Sequence, residues 1–403
     1  MARCTSNRYG IKDSNMIVHS GNPLSPKVFV QINGVEVNYN AITKIVIDLA
    51  ANKHDVVSLH VAGIPPKAIT DYIDAAVSVT VTLGPGRTTE FRGYVLYLEP
   101  EAISGSSIVN NSPFQLTRIV CFGASLNMKG TKTRVWENAS VVTIAKDMAE
   151  TYGFSLDVID DGFKLPRIVQ AKQSDWEFLN TFCATYGYSI SVNATHMHIW
   201  DPFKAIGRRP SYETLTAPIG SSTPSPGSIL KFNGTFGYLT PEGVSWNYSV
   251  NSIDDTGTVN TSVGDHTDPE FSWSGVGHGS KYNSALRSSA LSIGEAQKLV
   301  AAEIRKKLPF NAVLETSATI GTVPGGIVNI AGYKTNFEGL WYVKAVKHTI
   351  GGSSCMTTLN ISRDFNTTSE YLVPPTELAE SPPDSKYVNN RWQSSVERVL
   401  TYV

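Results

Sequence analysis

The chain is short of charge. Only 17% of its 403 residues are Asp, Glu, Lys or Arg, against roughly a quarter in a typical domain, and 34 basic residues nearly cancel 35 acidic ones. That scarcity excludes electrostatic gripping of a nucleic-acid backbone, which needs clustered Lys and Arg. Cysteine is scarce too. Cys4, Cys121, Cys183 and Cys355 are far apart and form no C-x-x-C, so a zinc knuckle or a thioredoxin-like site has no support. Cys121 and Cys183 sit in apolar runs and are expected to be buried free thiols. No run approaches the roughly 18–20 apolar residues of a membrane span, and the opening MARCTSNRYGIK lacks the apolar stretch of a secretory signal. No membrane anchor is expected, and folding is expected in a reducing cytoplasm.

Catalytic signatures are missing as well. There is no G-x-S-x-G elbow, no H-E-x-x-H and no G-x-x-x-x-G-K-[ST] loop. His196 and His198 lie two apart on a presumed strand, hence on one face, but no third ligand stands near, and surface histidines are the plainer reading. Asp160-Asp161 and Asp254-Asp255 read as turns; Asp265, His266 and Asp268 read as solvated loop. Gly84-Pro85-Gly86-Arg87 lacks the following helix that would make it a phosphate cradle. The sequence therefore predicts no catalytic residue, no metal site and no cofactor.

What is present is hydroxyl-rich, strand-forming sequence. Ser, Thr and Asn must supply most of the polar surface, and weakly charged surface is cheap to desolvate, which suits permanent assembly. KVFVQINGVEV alternates around Asn33-Gly34, a type I′ hairpin signal. Ile42–Ala50, Val56–Val61, Val77–Leu83, Phe91–Leu98 and Phe114–Phe122 read as strands, with a short helix from Pro65-Pro66 to about Ala76. Seven strands and one helix in about 110 residues predict a small barrel or sandwich.

A short echo follows. ETYGFSLDV at Glu150–Val158 and ATYGYSISV at Ala184–Val192 are nearly the same phrase. Before the first, Val141, Ile144, Ala145, Met148 and Tyr152 fall at helical spacing, with Asn138 or Ser140 as cap and Gly153 as stop. Before the second, Ser174-Asp175-Trp176-Glu177 is a capping box, Leu179, Phe182, Cys183 and Tyr186 form a stripe, and Gly187 ends it. Each copy thus predicts a helix, a glycine stop and a strand. Beyond it GVSWNYSV alternates, 251–283 read as a long loop, Ile293–Leu308 as a capped helix, and Ala312–Ile320, Gly326–Gly332, Leu340–Ile350 and Cys355–Arg363 as strands.

A larger echo links the two β regions. TTEFRGYVLYL at 88–98 matches TNFEGLWYVKAV at 335–346; in both, Phe-x-Gly precedes a long apolar strand. VTVTLGPG and IVNIAG come shortly before, QLTRIVCFG and MTTLNISRD after. The fold class expected is β-rich α+β: two tube-protein-like β-barrel domains flanking a small α/β module. The divisions are an N-terminal arm at 1–24, the first barrel at 25–130, the α/β module at 131–202, the second barrel at 203–365, and a Pro-rich linker with a C-terminal amphipathic helix at 366–403. On that last helix Val388, Trp392, Val396, Val399 and Leu400 share one face, the candidate partner-binding residues.

The order of these pieces resembles the baseplate hub proteins of contractile phage tails, the late-control protein D family, and the N-terminal part of type VI secretion VgrG proteins. Val169-Gln170, Ser174-Asp175-Trp176-Glu177-Phe178-Leu179 with the Tyr186-Gly187 stop, and Phe337-Glu338-Gly339-Leu340-Trp341-Tyr342-Val343 carry the resemblance, which spans roughly residues 25–365. It implies a homotrimer whose six barrels adapt a sixfold tail tube to a threefold central spike. The implied partners are the chain itself, the tail tube protein, a separate central spike protein, the tape measure and other baseplate proteins. DNA would pass the lumen without specific binding. The implied location is the virion tail baseplate, assembled in the host bacterial cytoplasm. No β-helical spike follows Arg363, which is why the spike is expected on another chain. A tail-tip protein of a non-contractile tail, or a cell-wall-binding or wall-degrading tail protein, are the alternatives.

Overall fold

The computed structural model describes residues 26–37, 41–62, 71–84, 87–106, 113–158, 162–202, 213–217, 225–236, 248–254, 257–263, 289–290, 295, 298–299, 302, 310–333, 337–351 and 354–363. The first β region holds β1 (Lys27–Ile32), β2 (Val35–Glu36), β3 (Ile42–Ala50), β4 (Val56–Ala62), β5 (Ala76–Thr82), β6 (Thr88–Ser106) and β7 (Pro113–Gly123). Asn33 and Gly34 both take positive φ, 51° and 75°, as a two-residue hairpin between β1 and β2 requires. The helix expected from Pro65 to Ala76 falls mostly outside the described residues. Its described end, Asp71–Asp74, is a turn, and Ala76 already belongs to β5.

The middle region holds β8 (Thr131–Ser140), α1 (Val141–Tyr152), β9 (Ser155–Val158), β10 (Lys164–Ser174), α2 (Asp175–Thr185), β11 (Ser189–Asn193) and β12 (His196–Trp200). Both helices start on a serine: the Ser140 hydroxyl accepts from the Thr143 N–H and the Ser174 hydroxyl from the Glu177 N–H. Gly153, at φ 71°, ends α1, and Gly187, at φ 79°, follows α2. The repeat is longer than the sequence echo. Each helix is preceded by a long strand, and β8 and β10 pair antiparallel, Lys164 opposite Ser140 and Ser174 opposite Thr131. Those two strands have no clean alternation, which is why periodicity alone misses them. Ile144, Met148, Leu179, Cys183, Ile190, Met197 and Ile199 form the module's own core.

The last region holds β13 (Glu213–Thr216), β14 (Ile229–Phe236), β15 (Tyr248–Asp254), β16 (Gly257–Val263), β17 (Ser289–Ala290), β18 (Phe310–Ser317), β19 (Ile327–Ala331), β20 (Gly339–Gly351) and β21 (Ser354–Arg363). The expected loop at 251–283 is corrected in its first part, because β15 and β16 pair as a hairpin. Within the helix expected at Ile293–Leu308 the described residues Glu295, Lys298, Leu299 and Ala302 are helical.

The two outer regions form one sheet, in the order β14-β18-β21-β20-β3-β4-β7-β6-β5-β1-β2, with β19 on β20 and β13 on β19. In the second region Thr216 bridges Ser228 beside β14, which closes β13, β19, β20, β21, β18 and β14 into a barrel. One hydrophobic cluster runs through both regions, from Val30 and Ile45 to Leu359 and Ile361.

Candidate assembly surface

The two β regions are copies of one plan. In chain order their six principal strands are β1, β3, β4, β5, β6, β7 and β13, β14, β18, β19, β20, β21. In space both run first, fourth, fifth, sixth, third, second. Register agrees too. A bulge separates Val95 from Tyr97 on β6, and the matching bulge separates Val343 from Ala345 on β20. A second bulge lies between Ile42 and Lys44 on β3, and its counterpart lies between Ile229 and Lys231 on β14. Bulges insert an unpaired residue at one defined place, so two coincident pairs define the alignment without reference to side chains. The copies differ at the first strand: β1 runs antiparallel to β5, whereas β13 runs parallel to β19.

This register corrects the sequence alignment of the larger echo. The strands correspond as expected, but Phe-x-Gly does not lie on Phe-x-Gly. The shared bulge puts Phe91 at the place of Gly339 and Gly93 at the place of Trp341. Each strand thus carries one large aromatic and one glycine on the same face, in opposite order. Phe91 and Trp341 are both buried. A Cβ on Gly93 would collide with the Phe122 carbonyl oxygen and stand 2.9 Å from Phe91 Cζ. Gly93 thus leaves room first for the Phe122 backbone and then for the tip of the Phe91 ring. Sequence matching slipped by two residues because a glycine-aromatic pair reads alike in either order.

The copies meet edge to edge. Residues 345–351 of β20 pair antiparallel with residues 44–50 of β3, from Ala345 opposite Ala50 to Gly351 opposite Lys44. The core side of this junction is dry: Val346, His348, Ile47 and Leu49 are each 0% exposed and Ile45 is 1%. His348 gives up its ordinary basicity there, burial pushing it down to about 4, and its Nδ1 meets the Thr357 hydroxyl at 2.9 Å. On the open side Glu99, Arg118, His60, Lys44 and Lys347, from β6, β7, β4, β3 and β20, line a shallow concavity. Arg118 donates to Glu99 at 2.9 Å and to Ser58 at 3.4 Å. Arg118 is paired with Glu99, and Lys44 and Lys347 add positive charge to the same lining.

The α/β module clamps both copies. Towards the first, the Asn52 side chain accepts from the Ile190 N–H at 3.0 Å, and the His54 ring stacks on Trp176 at 4.7 Å. Towards the second, Trp200 Nε1 donates to the Tyr342 hydroxyl at 2.8 Å, and the indole lies against Gly325. Inside the module the buried Asp175 carboxylate accepts from Lys132 at 2.7 Å, Tyr152 at 2.7 Å and Gln170 at 2.8 Å, with Arg134 at 3.6 Å. Burial pushes that carboxyl up, but the Lys132, Tyr152 and Gln170 hydrogen bonds and the Arg134 charge outweigh it and hold it below its ordinary value.

No protein-family model and no curated protein matches the chain. Solved structures do match. A tail protein from Neisseria meningitidis MC58 aligns with a TM-score of 0.59 over 84% of this chain and 97% of its own, at 12% identity. The fold is that of a phage tail protein. The 43 kDa tail protein of prophage MuSo2 from Shewanella oneidensis gives 0.56 at 13% identity, covering 84% of this chain and 98% of its own. An E. coli type VI secretion component, described as similar to the T4 tail proteins gp27 and gp5, gives 0.50 at 9% identity over 82% and 76%.

On this tail-protein fold the residues singled out from sequence scatter. His198 faces Asp157 at 2.7 Å and stacks on Trp200, and His196 meets the Ser155 hydroxyl. Among the described residues no group of three His, Cys, Asp or Glu is placed to hold a metal, and no helix is long and apolar enough to cross a membrane. Asp160, Asp161, Asp255, Asp265, His266 and Asp268 lie outside the described residues, as do Val388, Trp392, Val396, Val399 and Leu400. The junction itself has no sequence signal, since β3 and β20 are ordinary strands until their pairing is known.

Proposed function

We propose that the chain is a structural hub of a phage tail or a related injection device. Three copies, each contributing barrel units at 25–130 and 203–365 with the 131–202 module between them, form a ring of six similar domains. Such a ring meets a sixfold tube on one side and a threefold spike on the other. The observation that carries this reading is the shared strand order, register and bulge positions of the two β regions. A duplicated domain lets a three-membered ring present six equivalent surfaces.

In this reading the concavity at Glu99, Arg118, His60, Lys44 and Lys347 faces the bore, and the chain's near-neutral overall charge suits passage of DNA without retention. The role is assembly rather than catalysis. The tail at 366–403, whose sequence spaces Val388, Trp392, Val396, Val399 and Leu400 as one face of a helix would, reaches a neighbouring baseplate component. Deleting 371–403 should leave the ring intact and weaken its incorporation into the baseplate; full incorporation would remove that assignment. Native mass spectrometry of the full chain tests the ring directly. Three copies are expected, and a monomer or a dimer would overturn the reading.

A further inference from the structure

The junction inside the chain has a counterpart whose two strands, among the described residues, are not paired with each other. Within the chain, the second strand of the first copy (β3) pairs with the far half of the fifth strand of the second copy (β20). The equivalent pair is the second strand of the second copy, β14, and the far half of β6. Among the described residues β14 pairs along one side with β18, and beyond Val95 β6 pairs along one side with β7. The core-side residues there are wetter than their counterparts. Leu98 and Phe232 are half-buried and Pro100 and Gly234 exposed, where Val346, His348 and Ile47 are 0% and Ile45 1% exposed.

We propose that β14 of one copy pairs antiparallel with Leu98–Ile103 of β6 in the next copy, in the register that β3 and β20 use within the chain. The inference rests on the three-copy ring above and adds which edges meet and which residues face each other. Carrying the internal pairs across through the shared bulges gives Leu98 opposite Phe236, Glu99 opposite Thr235, Pro100 opposite Gly234, Glu101 opposite Asn233 and Ala102 opposite Phe232.

Two further observations fit this register. Ala51 N–H donates to the Lys344 carbonyl at 3.0 Å, so Lys344 and Ala51 are a hydrogen-bonded pair. Bonded and non-bonded pairs alternate along an antiparallel ladder, so His348 opposite Ile47 is bonded and Lys347 opposite Asp48 is not. Pro100, the counterpart of His348, therefore turns its missing N–H to the open edge and costs the β7 ladder nothing, as a strand proline must. Opposite it stands Gly234, with no side chain to crowd the ring. The two edges are different segments of the chain, so pairing one with the other does not use a twofold axis. They form a head-to-tail contact, which closes when the rotation per copy divides a circle. Long open edges otherwise invite uncontrolled association.

Cysteine cross-linking in the full chain, with Cys4→Ser as background, tests the register. Glu99 and Thr235 are exposed and form a non-bonded pair, whose Cα spacing of about 4.5 Å falls within disulfide range. Mild oxidation of the Glu99→Cys, Thr235→Cys variant is expected to give a covalent trimer on a non-reducing gel, reversed by reductant. Glu99→Cys with Lys231→Cys should give none, being about 13 Å out of step. Mixing the two single variants gives a second readout: disulfide-linked dimers in the mixture, and none of either variant alone. A three-copy native mass with no link at 99 and 235, or a link at 99 and 231 instead, overturns the junction and leaves the ring standing. A monomeric native mass overturns both.

Discussion

Tyr152 and Tyr186 hold matching places in the two copies of the helix–strand repeat, and each donates its hydroxyl to a carboxylate. Tyr152 reaches Asp175 at 2.7 Å and Tyr186 reaches Glu295 at 2.8 Å. The first bond joins the repeat copies to each other; the second joins the module to the helical residues that follow it in the chain. Tyr152→Phe removes one donor from a buried carboxylate and should cost about 1–2 kcal/mol. Asp175→Asn leaves Lys132 and Arg134 facing an uncharged group and should cost about 3 kcal/mol. Asp175 is held below its ordinary value, so its contribution is present above about pH 4 and fades as pH falls further. Urea melts at pH 7 and pH 3 check both: the gap between wild type and Asp175→Asn should shrink in acid.

His348 sets a second pH dependence in a different window. Burial lowers it to about 4, against about 6.5 in an unfolded chain. Above pH 6.5 the ring is neutral in both states. Between 6.5 and 4 the unfolded chain takes up a proton that the folded chain refuses, so stability falls by about 3 kcal/mol, at about 1.4 kcal/mol per unit. Thermal melts from pH 7.5 to 4 should show this slope, and His348→Gln should flatten it. An unchanged slope in the variant would mean that other groups carry the acid sensitivity.

Gly325 is expected to tolerate no side chain. Its φ is 80°, and a Cβ there would stand 2.6 Å from Trp200 Cε2. Gly325→Ala combines a left-handed backbone with a displaced indole and should cost about 2–4 kcal/mol. The same change should shift tryptophan fluorescence to the red, because Trp200 is 0% exposed in the native fold.

Three cysteines should be silent. Cys121, Cys183 and Cys355 are buried and free, and burial pushes Cys121 and Cys355 up to about 12 and Cys183 higher still. A thiol reagent on the native chain should leave these three unmodified and reach them after unfolding.

Much of the local structure was legible because local structure follows short-range rules. Apolar spacing marks α1 and α2, Ser140 and Ser174 cap them, Gly153 and Gly187 stop them, and Asn33-Gly34 turns a hairpin. Each of those signals is a property of neighbours in the chain. The repeated strands around 88–98 and 335–346 also pointed, from sequence alone, to two β regions of one plan. The sequence could not set their register, because a glycine and an aromatic two apart look the same in either order, and Phe91 with Gly93 answers Gly339 with Trp341. Nor could it show that β3 joins β20. Strand pairing is a contact between residues some three hundred positions apart, and an edge strand carries the same alternation whichever partner it meets. Tertiary structure alone decided which edges are satisfied within the chain and which, at β14 and the far half of β6, pair along one side only among the described residues.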